Sequence, residues 1–291
     1  MVNSKKIKIV IFGSSGYIGS NLVRELSNLK YELTLFDFKK NIHHNKFKFI
    51  EGNILEISKV EKAIKGSHYV FNLAGEAGIE ESNLNINSAI QKNILGNINI
   101  LNACVKYKVK KIIYASSMYV FGKYGGIYKT TKLTSEEFVR QYNNIYKLKY
   151  TIIRYGSLFG SEFDKKSAIH NMIVSAISKS SITYNGKSDS MRQYIHIKDA
   201  VIATIKTMDK KYDNSSISIV GNENYRVKDI MILISEILNK KVKYKFIKKN
   251  NSHYRLTPFT LSPELGITLK LEDFIDIPQG LYEEIKRLSK K

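Results

Sequence analysis

Gly13-Ser14-Ser15-Gly16-Tyr17-Ile18-Gly19 joins an apolar run, Lys8-Ile9-Val10-Ile11-Phe12, to an amphipathic segment over 17–29, and no other feature narrows the fold as far. The order is strand, glycine turn, helix. Gly13 permits the tight turn, Gly16 lets backbone approach a pyrophosphate, and Gly19 lets the helix pack closely on the strand, while free N–H groups of the first helical turn face the anion. A second strand over 31–37 ends in Asp37, where a dinucleotide fold carries its ribose-binding acid. That carboxylate would repel a 2′-phosphate and so favours NAD, although Lys39 and Lys40 offset part of the repulsion.

Downstream, apolar strands expected over 47–51, 68–73, 111–115 and 150–155 alternate with helical patterns over 57–65, 84–106 and 128–146. This alternation predicts an α/β protein with a Rossmann-type, doubly wound parallel sheet. Beyond Gly160 the order loosens into helices near 168–179, 198–208 and 227–238, which predicts a smaller C-terminal substrate-binding lobe. The expected division is 1–160 for the cofactor domain and 161–291 mainly for the lobe, with some segments returning to the sheet. No linker rich in proline or glycine separates them, so the two should share a cleft.

Composition excludes several classes. With 291 residues, 43% of them apolar, the chain can bury a full core. It holds no apolar run of about eighteen residues, and its first residues pass directly into a strand, so neither membrane insertion nor export is expected and the cytoplasm is the natural address. Its single cysteine, Cys104, cannot form an internal disulfide. The formal charge is +21, but the lysines are scattered and only seven arginines occur, which argues against nucleic acid and for a basic surface that attracts a small anion such as a sugar nucleotide. Apart from the adjacent His43-His44 pair, none of the six histidines has a metal-like spacing with other ligands, so no metal is expected.

The candidate chemistry lies between Ser116 and Lys132. Tyr128 and Lys132 differ by one helical turn and share a face, so an ammonium can sit beside a phenol and draw it toward the phenolate. A phenolate at this position is a working base, and a hydroxyl at the preceding strand end can bind an oxyanion.

These residues, in this order, resemble the extended short-chain dehydrogenase/reductase family, in its NAD-dependent epimerase/dehydratase branch acting on nucleotide sugars. The resemblance spans nearly the whole chain. It implies a catalytic triad of Ser117, Tyr128 and Lys132. It implies cofactor contacts from Gly13, Ser15, Gly16, Tyr17, Ile18, Gly19, Asp37 and Phe38, from Asn53 and Ile54 at adenine, from Leu73, Ala74 and Gly75 along the cofactor, from Asn93 in a supporting helix, and from Tyr155 and Ser157 beside the nicotinamide; Tyr128 and Lys132 also touch it. Arg192 is matched to an arginine that binds a substrate diphosphate, for which its fork is suited, and Arg255 is a second phosphate candidate. His196 and Asp199 are expected to hold a loop and cap a helix. Homodimers of the family pair helices equivalent to 84–106 and 128–146.

Departures from the family pattern bear on the reaction. The two positions after the catalytic hydroxyl, Asp and Glu in sugar-nucleotide 4,6-dehydratases, are Met118 and Tyr119. The lysine common in galactose-type 4-epimerases is replaced by Ala77. The resemblance therefore implies an NAD-dependent epimerase of a nucleotide sugar, acting at C4 through a transient ketone. A dehydratase, a reductase or dehydrogenase with exchangeable coenzyme, and a non-catalytic dinucleotide sensor of the same fold remain as alternatives.

Overall fold

Alternating side chains along the first strand face two different cores, the signature of a parallel strand covered on both sides. The computed structural model describes residues 6–41, 45–122, 125–165, 167–247, 267–268 and 271–290. In it β1 (Ile7–Phe12) sends Ile9 and Ile11 to one side and Val10 and Phe12 to the other. The elements that follow are α1 (Tyr17–Ser27), β2 (Tyr31–Asp37), β3 (Lys48–Glu51), α2 (Ile57–Ile64), β4 (Tyr69–Asn72), α3 (Ile79–Leu84), α4 (Ile86–Ile90), a π turn (Gln91–Leu95), α5 (Gly96–Lys106), β5 (Lys111–Ser117), a 3-10 turn (Met118–Phe121), α6 (Gly126–Tyr146) and β6 (Lys149–Tyr155). Then come β7 (Ser157–Phe159), α7 (Ala168–Lys179), β8 (Ser181–Asn185), β9 (Met191–Arg192), β10 (Tyr194–His196), α8 (Ile197–Lys206), β11 (Ser215–Ile219), β12 (Tyr225–Arg226), α9 (Val227–Ile237), β13 (Lys243–Ile247), β14 (Ile267–Thr268) and α10 (Ile277–Ser289).

The main sheet has eight strands in the order β14-β11-β6-β5-β4-β1-β2-β3. Every pairing in it is parallel. From β1 the chain builds outward through β2 to β3, then crosses back to β4 and builds the other way. The strand order therefore reverses between β1 and β4, and a crevice opens beyond their carboxyl ends, where such sheets bind ligands.

Leu22 and Leu26 of α1 and Val201 of α8 pack with Ile9, Ile153 and Ile217 on one side of the sheet. On the other, Val60, Ile100, Cys104 and Val139 pack with Val10, Ile112 and Ile152. Cys104 is fully buried, and burial pushes its thiol far above its ordinary pKa, so it is core rather than nucleophile. A third core joins α7, α9 and α10 through Ile173, Met231, Ile234 and Leu281. Three two-stranded pairings, β7 with β10, β9 with β12 and β8 with β13, accompany these helices.

The chain leaves the sheet after β6, builds part of this lobe, and returns: α8 packs in the same core as α1, and β11 pairs with β6. Lys111 secures that return. It is buried at the start of β5, donates to Thr207 O at 2.8 Å and Asp209 O at 3.0 Å, and pairs with Asp213 at 2.9 Å. The ammonium thus satisfies carbonyls just past the end of α8, where a cation is favoured.

The single long helix expected over 84–106 is broken. Asn85 leaves helical geometry and its side chain accepts from Ser88 N at 3.0 Å, starting α4 anew. Five residues later the π turn rotates the helix and buries Asn93. No described helix is long and apolar enough to cross a membrane.

Gly19 is required for a steric reason: a Cβ there would overlap the Gly13 carbonyl, which is backbone and cannot step aside. Gly66, by contrast, has a left-handed φ of +81°, yet a Cβ would meet nothing within 4 Å. Gly19→Ala is therefore expected to cost about 3 kcal/mol and Gly66→Ala about 1 kcal/mol. Thermal unfolding of the two variants checks this; equal losses would contradict it.

Candidate active site

The turn after β1 is a cradle shaped by missing side chains. Gly13 has φ +77°, its N–H donates to Phe36 O at 3.0 Å, and a Cβ on it would lie 2.8 Å from Ala74 N. Gly16 is the N-cap of α1, where no side chain caps the first turn and no acid follows. The amides of that turn are thus left for an external anion.

Asp37 closes the cradle at the end of β2. Its carboxylate accepts from Ser15 N at 2.9 Å and Phe38 N at 2.8 Å, and Ser15 Oγ donates to Lys39 O at 2.6 Å. Burial raises the Asp37 pKa, and these backbone donors act in the opposite direction. Beside it the Phe38 ring is 79% exposed. Asn53 N donates to Glu56 at 2.6 Å and its side chain accepts from Leu55 N at 3.0 Å, while Ile54 is buried with Gly96 against it. Tyr17 Oη donates to Gly160 O at 2.7 Å, linking the cradle to the start of the lobe, and Ile18 packs on the core.

Leu73, Ala74 and Gly75 leave β4 beside this turn, with Leu73 N donating to Phe12 O at 3.0 Å. Gly75 has φ +147°, and a Cβ there would overlap Asn93 Oδ1. Asn93 accepts from Glu76 N at 2.7 Å and donates to Thr131 Oγ1 at 2.9 Å. The π turn thereby ties the loop after β4 to α6, next to Lys132. Such single π turns recur at functional sites, but nothing in a helical hydrophobic pattern announces them.

Tyr128 and Lys132 lie on the buried face of α6 against the end of β5. The Ser117 side chain stands beside the Tyr128 phenol. Burial raises the Tyr128 pKa, and the neighbouring Ser117 hydroxyl pulls the other way. Lys132 Nζ donates to Ala115 O at 2.9 Å and stands 5.1 Å over the Tyr114 ring. Its pKa is lowered to about 8 by burial, against the pull of Glu136. In the free chain burial thus outweighs the attraction expected from the neighbouring amine, and the phenol lies above its ordinary range.

Other expected positions are differently employed. The Tyr155 side chain enters the core and its hydroxyl shares a 2.7 Å hydrogen bond with Thr204. Ser157 N donates to Gln193 O at 3.2 Å. Arg192 is buried, donating to Met191 O at 2.7 Å and Tyr184 Oη at 3.1 Å. His196 occupies the N-cap of α8 without a side-chain cap, and Asp199 accepts from Ile275 N at 2.8 Å instead of capping the helix. Arg255 lies outside the described residues.

Two groups escaped notice in the sequence. Tyr119 sets its ring edge-on to Tyr128, with centroids 6.4 Å apart. Glu136, fully buried, accepts from Ser116 Oγ and from Arg154. Its signal was available: Tyr128, Lys132 and Glu136 recur every fourth residue on one helical face.

Residues 9–221 match the model of the NAD dependent epimerase/dehydratase family. The protein named "Uncharacterized UDP-glucose epimerase YtcB" of Bacillus subtilis is 25% identical over 97% of this chain and 98% of its own. A UDP-N-acetyl-alpha-D-glucosaminuronate decarboxylase of Bacillus cytotoxicus is 27% identical over 77% of this chain and 78% of its own. Among solved structures, the UDP-glucose 4-epimerase of Thermotoga maritima with UDP-glucose superposes with a TM-score of 0.85 at 21% identity, covering 98% of this chain and 99% of that one. The chain belongs to the NAD-dependent epimerase/dehydratase family, and NAD is its cofactor.

The cradle fits that cofactor: uncapped helix amides for a pyrophosphate and a buried carboxylate for a ribose. Asp37→Ala is expected to weaken NAD binding by about tenfold or more, since a charge-assisted hydrogen bond contributes roughly 1.5–3 kcal/mol. Calorimetric titration with NAD reads this directly, and unchanged affinity would contradict the role.

Proposed function

We propose that this enzyme interconverts the C4 epimers of a UDP-linked sugar. The buried face of α6 that sets Tyr128 beside the Ser117 hydroxyl, with Lys132 one turn further along it, carries the proposal. The relatives named as UDP-glucose epimerases support the substrate class. Met118 and Tyr119, where dehydratases of the family carry two acids, favour epimerisation over elimination.

Bound NAD supplies a hydride acceptor that returns the hydride in the second half of the reaction. Tyr128 Oη takes the proton of the C4 hydroxyl as the C4–H bond breaks and gives it back when the ketone is reduced. Ser117 Oγ donates to the same oxygen and stabilises its developing charge. The Lys132 ammonium favours the phenolate that burial opposes. The Arg192 fork, held by Met191 O and Tyr184 Oη in the free chain, would turn to bind the diphosphate, and Gly75 lets the backbone lie close to the cofactor.

Assembly is proposed as a homodimer through α4, α5 and α6. Ile86 and Ile90 of α4, Leu95 of the π turn and Leu133 of α6 are exposed, an apolar set that a second copy would cover.

Incubation with UDP-glucose and other UDP-sugars should yield the C4 epimer without accumulation of NADH. A dehydrated keto-deoxy sugar, or stoichiometric NADH, would contradict the reading. Tyr128→Phe and Lys132→Met should each lower turnover by about 10²- to 10⁴-fold with far-UV circular dichroism unchanged; near-normal rates would remove both residues from the mechanism. Leu133→Glu should sediment as a monomer where the parent chain is a dimer, and a monomeric parent chain would reject the interface.

A further inference from the structure

Four residues beyond Lys132, on the same face of α6, stands a carboxylate with no part in the proton transfer above. Both oxygens of Glu136 are engaged. Oε1 accepts from Ser116 Oγ at 2.6 Å and Arg154 Nε at 2.9 Å; Oε2 accepts from Arg154 at 2.6 Å and Arg140 at 2.8 Å. Arg154 lies opposite Ser116 in the register of β5 and β6, and its guanidinium stacks on the Phe121 ring at 4.4 Å. A buried carboxylate costs several kcal/mol unless well paired, and an arginine fork alone would meet that need. Here the same carboxylate also grips the residue before the catalytic serine. The face of α6 thus meets consecutive positions of β5: Tyr128 on Ser117, Lys132 on Ala115 O, and Glu136 on Ser116.

We propose that Glu136 is a positioning residue: clamped by Arg154 and Ser116, it fixes the strand end that presents Ser117 and stands as the anion one helical turn from Lys132. The inference rests on the reading that Lys132 acts as a cation in the proposed reaction. The charged and titratable groups around Lys132 leave Glu136 as the main anion. Tyr128 and Glu136 face it from its own helix and Tyr114 from β5, while Arg154 on β6 reaches it only through Glu136. Glu76, in the loop after β4, pairs with Lys92 at 2.7 Å. The amine spends its hydrogen bond on Ala115 O, so the carboxylate acts on it through space.

The sign follows. Burial alone lowers the Lys132 pKa, Glu136 raises it, and the balance lies at about 8. Replacing the carboxylate by an amide removes the raising influence. In Glu136→Gln the lysine should titrate about one pH unit lower. In Arg140→Gln, where a partly exposed cation is removed from the same carboxylate, it should titrate higher.

Protein labelled with ¹³C at lysine Cε, titrated by NMR with NAD bound and assigned by the resonance lost in Lys132→Met, reads this without any substrate. The proposal expects a downward displacement in Glu136→Gln and an upward one in Arg140→Gln, matched by a high-pH break in kcat/KM that moves the same way with the low-pH side unmoved. If Glu136→Gln does not fold, the Arg140→Gln displacement alone decides. A Lys132 titration unmoved in the folded variants overturns the proposal, since a purely structural clamp would leave it in place. Displaced titrations in a protein that epimerises no UDP-sugar would uphold the Glu136 assignment and count against the reaction.

Discussion

One contact surface organises the candidate site: the stripe of α6 that carries Tyr128, Lys132 and Glu136, pressed on the end of β5. All seven residues of β5 are buried and the strand is paired on both sides, so its end cannot shift to suit the helix. The helix therefore docks on a fixed edge, and every fourth residue meets it. Burial makes this surface expensive for charge. It lifts the phenol of Tyr128 and depresses the amine of Lys132, two changes that both oppose the phenolate–ammonium pair. The hydroxyl of Ser117 and the carboxylate of Glu136 work against those changes from either end of the stripe.

The cofactor cradle reaches that surface through short polar links. Gly75 comes so close to Asn93 that no side chain fits between them, and Asn93 in turn binds Thr131, the neighbour of Lys132. On the far side, Tyr17 of the glycine turn binds the carbonyl of Gly160, where the lobe begins. A dinucleotide lying along Leu73 to Gly75 would thus touch segments already fastened to the proton-transfer face. The same economy explains the path of the chain, which leaves for the lobe and returns with α8 and β11 to complete the sheet, locked there by the buried ammonium of Lys111.

Much of this was legible in the sequence because its causes are local. The three glycines, the alternating apolar strands and Asp37 report constraints that act within a turn or two, and the parallel sheet follows from them. The expectation that Tyr128 and Lys132 share a face came from helical spacing, and Ser117 beside them from the resemblance. What stayed hidden depends on partners distant in the chain. Nothing near Asn93 announces a π turn that exists to meet a loop and a helix. Tyr155 read as a site residue, yet its hydroxyl found Thr204, forty-nine positions away. Glu136 shares the spacing of Tyr128 and Lys132, but its partners Ser116 and Arg154 come from β5 and β6 and only the fold brings them to it.

The central claim is that positive charge around Tyr128 overcomes its burial once the cofactor is in place. It is tested most directly by the phenolate absorbance difference between the chain and Tyr128→Phe, titrated with NAD bound. The account predicts that this single phenol ionises below about 10, the ordinary value for tyrosine. A phenol that stays protonated beyond that value with NAD bound would contradict it.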